Sequence, residues 1–315
     1  MDSRFLESFM SVVDSGSIAE AARRLNLTPA GVAQRISALE AEIGTTLLSR
    51  SGRSVLPTPA GTAILSRARN IVSEIRDLKS IATSDRLSGE LRVGATPTSL
   101  SGILPPMLAF LAKKYPQIDI YMMGATSAVL YDGVLRGDFD AAIIAQPPFT
   151  IPKAYDWRVL REEPLILLTQ ASCRGRDPHA ILAAKPFIGQ RRDTWVGRLV
   201  YGYLRDAGIR PRERFEMDTL EATAVMVDQG LGVALVHDWS PPWPEGLSLK
   251  KISLPANRFS RRIGLVWSRA SVRIRLVQAL LEAAELSSAV GPAKPRPKGS
   301  GTRTNKPGSK LISTY

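Results

Sequence analysis

The chain has 315 residues, with 42 Lys or Arg against 29 Asp or Glu, a net charge of +13 and a pI near 10.2. That length holds two or three domains, and 44% hydrophobic residues supply cores for them. The single cysteine, Cys173, excludes an internal disulfide and fits a reducing compartment, and the longest uncharged run, residues 94–112, holds three prolines and several hydroxyls, which argues against a membrane span.

The positive excess points to a polyanionic partner, yet it is unevenly placed. Residues 1–58 hold six Arg against six acids, and residues 59–88 five basic against three acidic. Residues 89–290 hold 25 against 20, and residues 291–315 six against none. Any nucleic-acid face near the N-terminus must therefore come from arrangement, not from bulk charge. No basic-then-apolar leader is present, so the expected compartment is the cytoplasm.

In chain order, Phe5, Leu6, Phe9, Val12 and Val13 predict a first amphipathic helix. Ser17 followed by Glu20 reads as a capping box. Ile18, Ala21, Ala22 and Leu25 then share one face of a short helix that Asn26 and Leu27 break. Thr28 as N-cap and Pro29 at the first helical position open the next helix. Its apolar stripe is Val32, Ile36, Leu39 and Ile43, and Gly44 ends it as a left-handed cap. At about 100° per residue, Ala30, Gln34, Ser37, Ala38 and Ala41 point away from the stripe. That outer face is low, with Gln34 as its one long side chain and Thr28 and Arg35 at its margins. This is the build of a recognition helix in a helix-turn-helix; an ordinary helical hairpin is the alternative. Residues 50–54, Arg-Ser-Gly-Arg-Ser between two extended pieces, read as a wing, with Arg50 and Arg53 placed for phosphates. The candidate DNA-binding set is Ser17, Thr28, Pro29, Ala30, Gln34, Arg35, Arg50, Arg53 and Ser54.

A long helix follows from residue 59. Ile64, Ala68, Ile71, Ile75, Leu78 and Ala82 recur with period 3.5. The narrow stripe predicts a coiled coil or antiparallel helix pair between two chains; packing on the chain's own domain is the alternative. Residues 87–89 read as a hinge. From residue 90 the texture alternates between strands (91–94, 118–123, 139–145) and helices (100–115, 126–136). A second set then follows: strands at 164–169, 214–217, 233–236 and 262–267, with helices at 195–207, 219–229 and 272–286. The alternation predicts mostly parallel sheets with covering helices, arranged as two lobes around a ligand cleft. Residues 291–315, rich in Pro, Gly, Ser, Lys and Arg, predict a disordered basic tail, with a non-specific grip on phosphate as a second reading.

Enzyme constellations are missing. His179 and His237 stand far apart without metal-ligand spacing, no Gly-x-Ser-x-Gly elbow or phosphate loop occurs, and Gly230-Leu231-Gly232 precedes a strand instead of following one. No catalytic residue, metal site or cofactor is expected.

Taken together, the chain resembles the LysR-type transcriptional regulators. The match runs through Phe9, residues 15–17, Ala21, Ala22, Leu25, Ile36, Leu39, Glu40, Gly44, Leu47, Arg50, Thr58, Ala60 and Gly61. In the second half it includes Leu104-Pro105, Tyr115-Pro116, Gly137 with Asp140, and residues 230–234. Departures are Ala33 for a common serine, Leu48 for a common phenylalanine, and Gly31 in the first turn of the recognition helix. The resemblance implies a winged helix-turn-helix over residues 1–58 and a dimerising linker helix over 59–88. It implies a two-lobed effector-binding α/β domain over 89–290, like a periplasmic binding protein. Lobe I is then about 89–162 and 268–290, lobe II about 163–267, and 291–315 the tail. It also implies binding to double-stranded DNA, a dimer assembling to a tetramer, a small-molecule effector and RNA polymerase as a partner. A solute-binding protein or an enzyme of the same two-lobed fold is the alternative. In that layout three helix N-termini face the cleft. They bring Thr96, Thr98, Ser99, Thr126, Ser127, Asp218 and Thr219, completed by Gln146, Gln190, Arg191 and His237. Free amides and hydroxyls favour an anionic effector, with Arg191 as its charged partner and Asp218 capping its helix.

Overall fold

The computed structural model describes residues 1–52, 54–83, 87–255 and 259–289. Arg53, the tail 291–315 and the side chains of Leu78 and Ala82 lie outside the described residues.

The chain opens with α1 (Ser3–Ser15), α2 (Ile18–Arg24) and α3 (Pro29–Ile43), then the hairpin β1 (Leu48–Ser51) and β2 (Ser54–Pro57), then α4 (Pro59–Thr83). Local chemistry sets these boundaries. Ser17 Oγ accepts the Glu20 N–H at 3.4 Å, but the reciprocal half of the capping box is absent, because the Glu20 carboxylate pairs with Arg23 and Arg24 instead. Asn26, at φ 54°, turns the chain out of α2. Thr28 Oγ1 accepts the Gly31 N–H at 3.1 Å and starts α3, which Gly44 ends at φ 78°. Leu6, Phe9 and Val12 of α1 pack with Ala21, Ala22, Val32, Ile36, Leu39 and Leu47 into one core.

Two sequence expectations need correction here. Ile43, placed in the stripe of α3, is 38% exposed. The seam on α4 divides: Ala68 is buried in the chain's own helical core, with Ile64 packed against it and Val72 completing the row. The reason is that α4 begins alongside α1, so every fourth residue from Ile64 faces inward. Ile71 is one residue off that row, turned roughly 100° round the helix, and with Ile75 it stays exposed.

From Gly89 the chain is α/β. Its first part runs β3 (Gly89–Ala95), α5 (Pro97–Gly102), α6 (Leu104–Lys114), β4 (Ile118–Gly124), α7 (Ser127–Arg136), β5 (Ala141–Ala145) and β6 (Tyr155–Glu163). Then come β7 (Leu165–Gln170), α8 (Pro178–Ala184), β8 (Pro186–Gln190), α9 (Trp195–Asp206), β9 (Arg212–Met217), α10 (Leu220–Asp228), β10 (Ala234–His237) and β11 (Leu249–Ser253). The chain closes with β12 (Arg261–Ser268) and α11 (Ile274–Ala289).

The first sheet has the order β4-β3-β5-β12-β6. Its β3 is parallel to β4 and β5, whereas β12 runs antiparallel to β5 and β6. The second half carries β10-β7-β11, antiparallel throughout, and the parallel pair β8 and β9, linked to β10 by a bridge between Phe187 and Val233. The sheets are therefore mixed, not mostly parallel. The strand at 262–267, assigned from the sequence to lobe II, belongs to the first sheet. The chain crosses out along β6 and back along β12, and these two long strands pair with each other. The helix expected over 100–115 is two, α5 and α6, meeting at Gly102 and Ile103. A Cβ on Gly102 would lie 2.5 Å from the Ser240 carbonyl oxygen, so α5 can approach the loop after β10 only with glycine there.

Candidate functional site

On the helical unit, Thr28, Pro29, Ala30, Gln34 and Ser37 are exposed along the outer face of α3, and Arg35 is half-buried at its edge. Gln34 thus stands among short side chains on the face opposite the buried Val32, Ile36 and Leu39. Arg50 pairs with Val55 in the wing hairpin and is exposed, as is Ser54. Gly52, at φ 61°, makes the turn between the two strands. Ser17 is half-buried with its hydroxyl engaged at the cap of α2, leaving it a positioning role.

The linker helix also grips the α/β half. Ser66 Oγ donates to the Arg136 carbonyl oxygen at 3.0 Å, and Asn70 Nδ2 donates to that of Gly137 at 2.8 Å. Both acceptors are carbonyls at the end of α7, where a helix leaves them without internal partners.

The effector candidates gather at the carboxyl ends of parallel strands. Thr96 follows β3, Thr126 and Ser127 follow β4, and Gln146 follows β5. Gln190 ends β8, and Asp218 with Thr219 follows β9. In open α/β sheets the crevice lies at this edge, beside the N-termini of the helices that follow. Thr126 and Thr219 occupy the N-cap positions of α7 and α10, and neither side chain bonds to its own first turn. Thr96 and Ser99 are buried, their hydroxyls 2.8 Å apart. Ser127 Oγ accepts the Ala145 N–H at 3.0 Å, fastening α7 to β5. Gln146 is exposed, its backbone N–H bonded to the Arg262 carbonyl. Gln190 is buried, and its Nε2 has no hydrogen-bond partner among the described residues.

Four candidates depart from the expected roles. Thr98 Oγ1 accepts from Arg261 Nη2 at 3.1 Å inside the protein. Arg191, named as the charged partner of a ligand, is exposed and already paired with Asp193 at 2.6 Å. Asp218 is exposed and does not cap α10, since Thr219 holds that position. His237 is fully buried 3.1 Å from the Phe259 carbonyl oxygen. Burial, reinforced by Arg261, pushes its pKa well below 6.5, so it is a neutral core histidine.

Sequence reasoning missed the groups that join the two halves. Glu163, at the end of β6, accepts from Arg261 Nε at 2.5 Å and from the Ser240 N–H at 3.2 Å, and both charged side chains are buried. Tyr131 of α7, Phe149 and Trp195 of α9 meet edge to face, with centroids 5.3 to 6.0 Å apart, and Trp195 packs against the first-sheet core. Asp140 accepts the Arg92 N–H at 2.8 Å and pairs with buried Arg273 at 2.9 Å, fixing β3 to the chain before α11. Among the described residues no group of three His, Cys, Asp or Glu is placed to hold a metal ion, and no helix is long and apolar enough to cross a membrane.

Comparison with known proteins agrees with this arrangement. Residues 3–62 match the bacterial regulatory helix-turn-helix protein, lysR family, and residues 84–287 match the LysR substrate binding domain. The chain is 29% identical over 237 residues to the HTH-type transcriptional regulator SoxR of an Arthrobacter species, covering 75% of this chain and 80% of that one. It is 30% identical over 237 residues to the uncharacterised HTH-type regulator YusT of Bacillus subtilis, covering 75% and 79%. Full-length OxyR from Pseudomonas aeruginosa superposes with a TM-score of 0.68 at 22% identity, over 94% of this chain and 99% of that one. Full-length CbnR, solved with its target DNA, gives 0.66 at 22% identity, over 91% and 100%. A helix-turn-helix with an exposed reading face, followed by an α/β effector-binding domain and matched along both parts, makes this chain a member of the LysR family of DNA-binding transcriptional regulators.

Proposed function

We propose that this regulator binds two-fold operator DNA as a dimer and that a small anionic effector, seated between its two α/β halves, alters operator binding or polymerase recruitment. Gln34 and Thr28 read base edges in the major groove, while Arg35, Arg50 and Arg53 hold phosphates. The exposed Ile71 and Ile75 on α4 supply an apolar stripe for a second chain, and further pairing between effector domains builds a tetramer. The CbnR complex supports the DNA half by analogy of fold.

The observation that carries the effector half is the buried Gln190 amide without a partner, at an edge where strand ends also bring Thr96, Thr126, Ser127 and Thr219. An unmade buried bond costs about 1–3 kcal/mol, and a ligand oxygen accepting from Nε2 would recover it. With Arg191 tied to Asp193, attraction for an anion rests on the N-termini of α7 and α10 and on neutral donors, which suits a carboxylate. Effector seating at the start of α7 reaches DNA through its far end, where Ser66 and Asn70 of the linker helix attach. The role is regulatory, not catalytic.

A thermal-shift screen of metabolites on wild type and Gln190→Leu tests the proposal. Organic acids should stabilise the wild type and lose their effect on the variant. Stabilisation only by cationic or wholly apolar compounds would remove the anion reading.

A further inference from the structure

The far end of the second half carries a cleft that the effector reading does not use. It has a volume of about 610 Å³ and lies between the loop after β7, the helix α8 and the turn before β10. Its wall includes Gln170, Ser172, Cys173, Arg174, Arg176 and Lys185. Arg174, Arg176 and Lys185 are exposed, and none of the three side chains makes a hydrogen bond or ion pair with a described residue. In the same half Arg191, Arg192 and Arg205 each have a carboxylate partner. One acid lines the cleft, Asp177, and its Oδ1 is occupied by the His179 N–H at 2.9 Å at the cap of α8. The loop is anchored from beneath, because Lys250 Nζ donates to the carbonyl oxygens of Cys173 at 3.3 Å and Gly175 at 3.1 Å. Two arginines on a fastened loop and a lysine at the end of α8 therefore line the same cleft.

We propose that this cleft is a second anion site, distinct from the one between the two halves, and that it takes a small phosphate-bearing ligand. Three arguments select that class. The site is concave and within the size range of small-molecule pockets, roughly 300–1,000 Å³, whereas duplex DNA needs an extended positive surface. Two guanidiniums offer paired donors in fixed forks, which match phosphate oxygens. Three positive charges against one occupied carboxylate favour a ligand carrying more than one negative charge. Ser172, exposed at the rim, adds a hydroxyl.

The chain's single cysteine lies in this wall and is half-buried, so its alkylation reports occupancy of this cleft and no other. The experiment follows the rate at which neutral iodoacetamide labels Cys173 in the full-length protein, with pyrophosphate as the probe and sodium chloride of matched ionic strength as control. Pyrophosphate should slow labelling along a saturable curve, and chloride should not. Arg174→Ala with Arg176→Ala, and separately Lys185→Ala, should each shift that curve to higher concentration by about tenfold or more, the effect of losing a charge-assisted bond. These side chains are exposed, and circular dichroism should show both variants folded. Gln190→Leu should leave the curve unchanged, which separates this site from the effector cleft. Equal protection by chloride, a linear curve, or full protection retained in both variants would overturn the proposal. Protection by duplex DNA without protection by pyrophosphate would also overturn it and make the surface a DNA contact.

Discussion

Arg261→Met removes the guanidinium that holds the buried Glu163 carboxylate where the two halves of the α/β region meet. Breaking one side of a buried ion pair costs about 3–5 kcal/mol, because the remaining charge stays in a low-dielectric site. Here Glu163 keeps the Ser240 N–H at 3.2 Å and the half-exposed Arg161 at 3.6 Å. The expected loss is therefore at the lower end, about 3 kcal/mol. Glu163→Leu leaves the Arg261 guanidinium with the Thr98 hydroxyl, at 3.1 Å, as its remaining hydrogen-bond acceptor among the described residues, and should cost a similar amount. Joining both changes leaves no buried charge behind, so the double variant should lose far less than the sum, with a coupling of about 2–3 kcal/mol. The assay is urea unfolding of the four proteins followed by tryptophan fluorescence. Trp239, next to Ser240, is buried and stacked 3.6 Å from Trp243, so its emission reports this region. Single costs below about 0.5 kcal/mol, or costs that simply add, would show that the pair is not the clamp described.

Gln34→Ala should relax sequence preference at a cost of about 1–3 kcal/mol on the operator, while Arg50→Ala should weaken all sequences alike and lower the salt slope by about one; binding titrations across salt concentrations read both, and uniform loss in both would remove the reading role of Gln34. Ile71→Asp with Ile75→Asp should lower the oligomer mass in sedimentation by removing the α4 pairing, with the fold intact, since both side chains are exposed in the single chain, whereas Val72→Asp should unfold the helical unit. Unchanged mass in the double variant would refute the α4 interface. His237 is held neutral by burial while the unfolded chain takes up a proton near pH 6.5, so stability is unaffected above that pH and falls by up to about 1.4 kcal/mol per pH unit below it. His237→Gln, measured by urea unfolding between pH 5 and 8, should flatten that acid limb; an unchanged slope would exclude His237 as its source.

The helical unit was legible in its boundaries and in most of its buried face, because local chemistry decides them, whereas Ile43 and half of the Ser17–Glu20 capping box departed from expectation. Thr28 with Pro29 starts α3, Gly44 stops it, and Val32, Ile36 and Leu39 fall on its buried face by periodicity alone. Gln34 could be called exposed for the same reason. The α/β half was legible as a class, since alternating apolar strands and helices announce themselves. Its topology was less so. The strand β6, Tyr-Asp-Trp-Arg-Val-Leu-Arg-Glu-Glu, carries too many charges to resemble a core strand, and it exists because β12 pairs along its length. No periodicity in the chain reports that β12 returns to the first sheet.

The same division holds for the sites. Sequence placed hydroxyls at the strand ends, because a short polar segment after an apolar strand and before a helix has few other places to go. Which of them are open and which are spent was a tertiary decision. Thr98 is taken by Arg261, Arg191 by Asp193, and Gln190 by nothing, and each outcome depends on residues distant in sequence or on a loop conformation. On α4 the period of 3.5 was real but ambiguous, because a stripe facing its own core and one facing a second chain obey the same spacing. Sequence alone determined the local elements and the reading face of α3, since neighbours within a few residues create them. Only the tertiary structure decided how Glu163 and Arg261, 98 residues apart, would meet, because burial of a charge is set by whatever the rest of the chain folds around it.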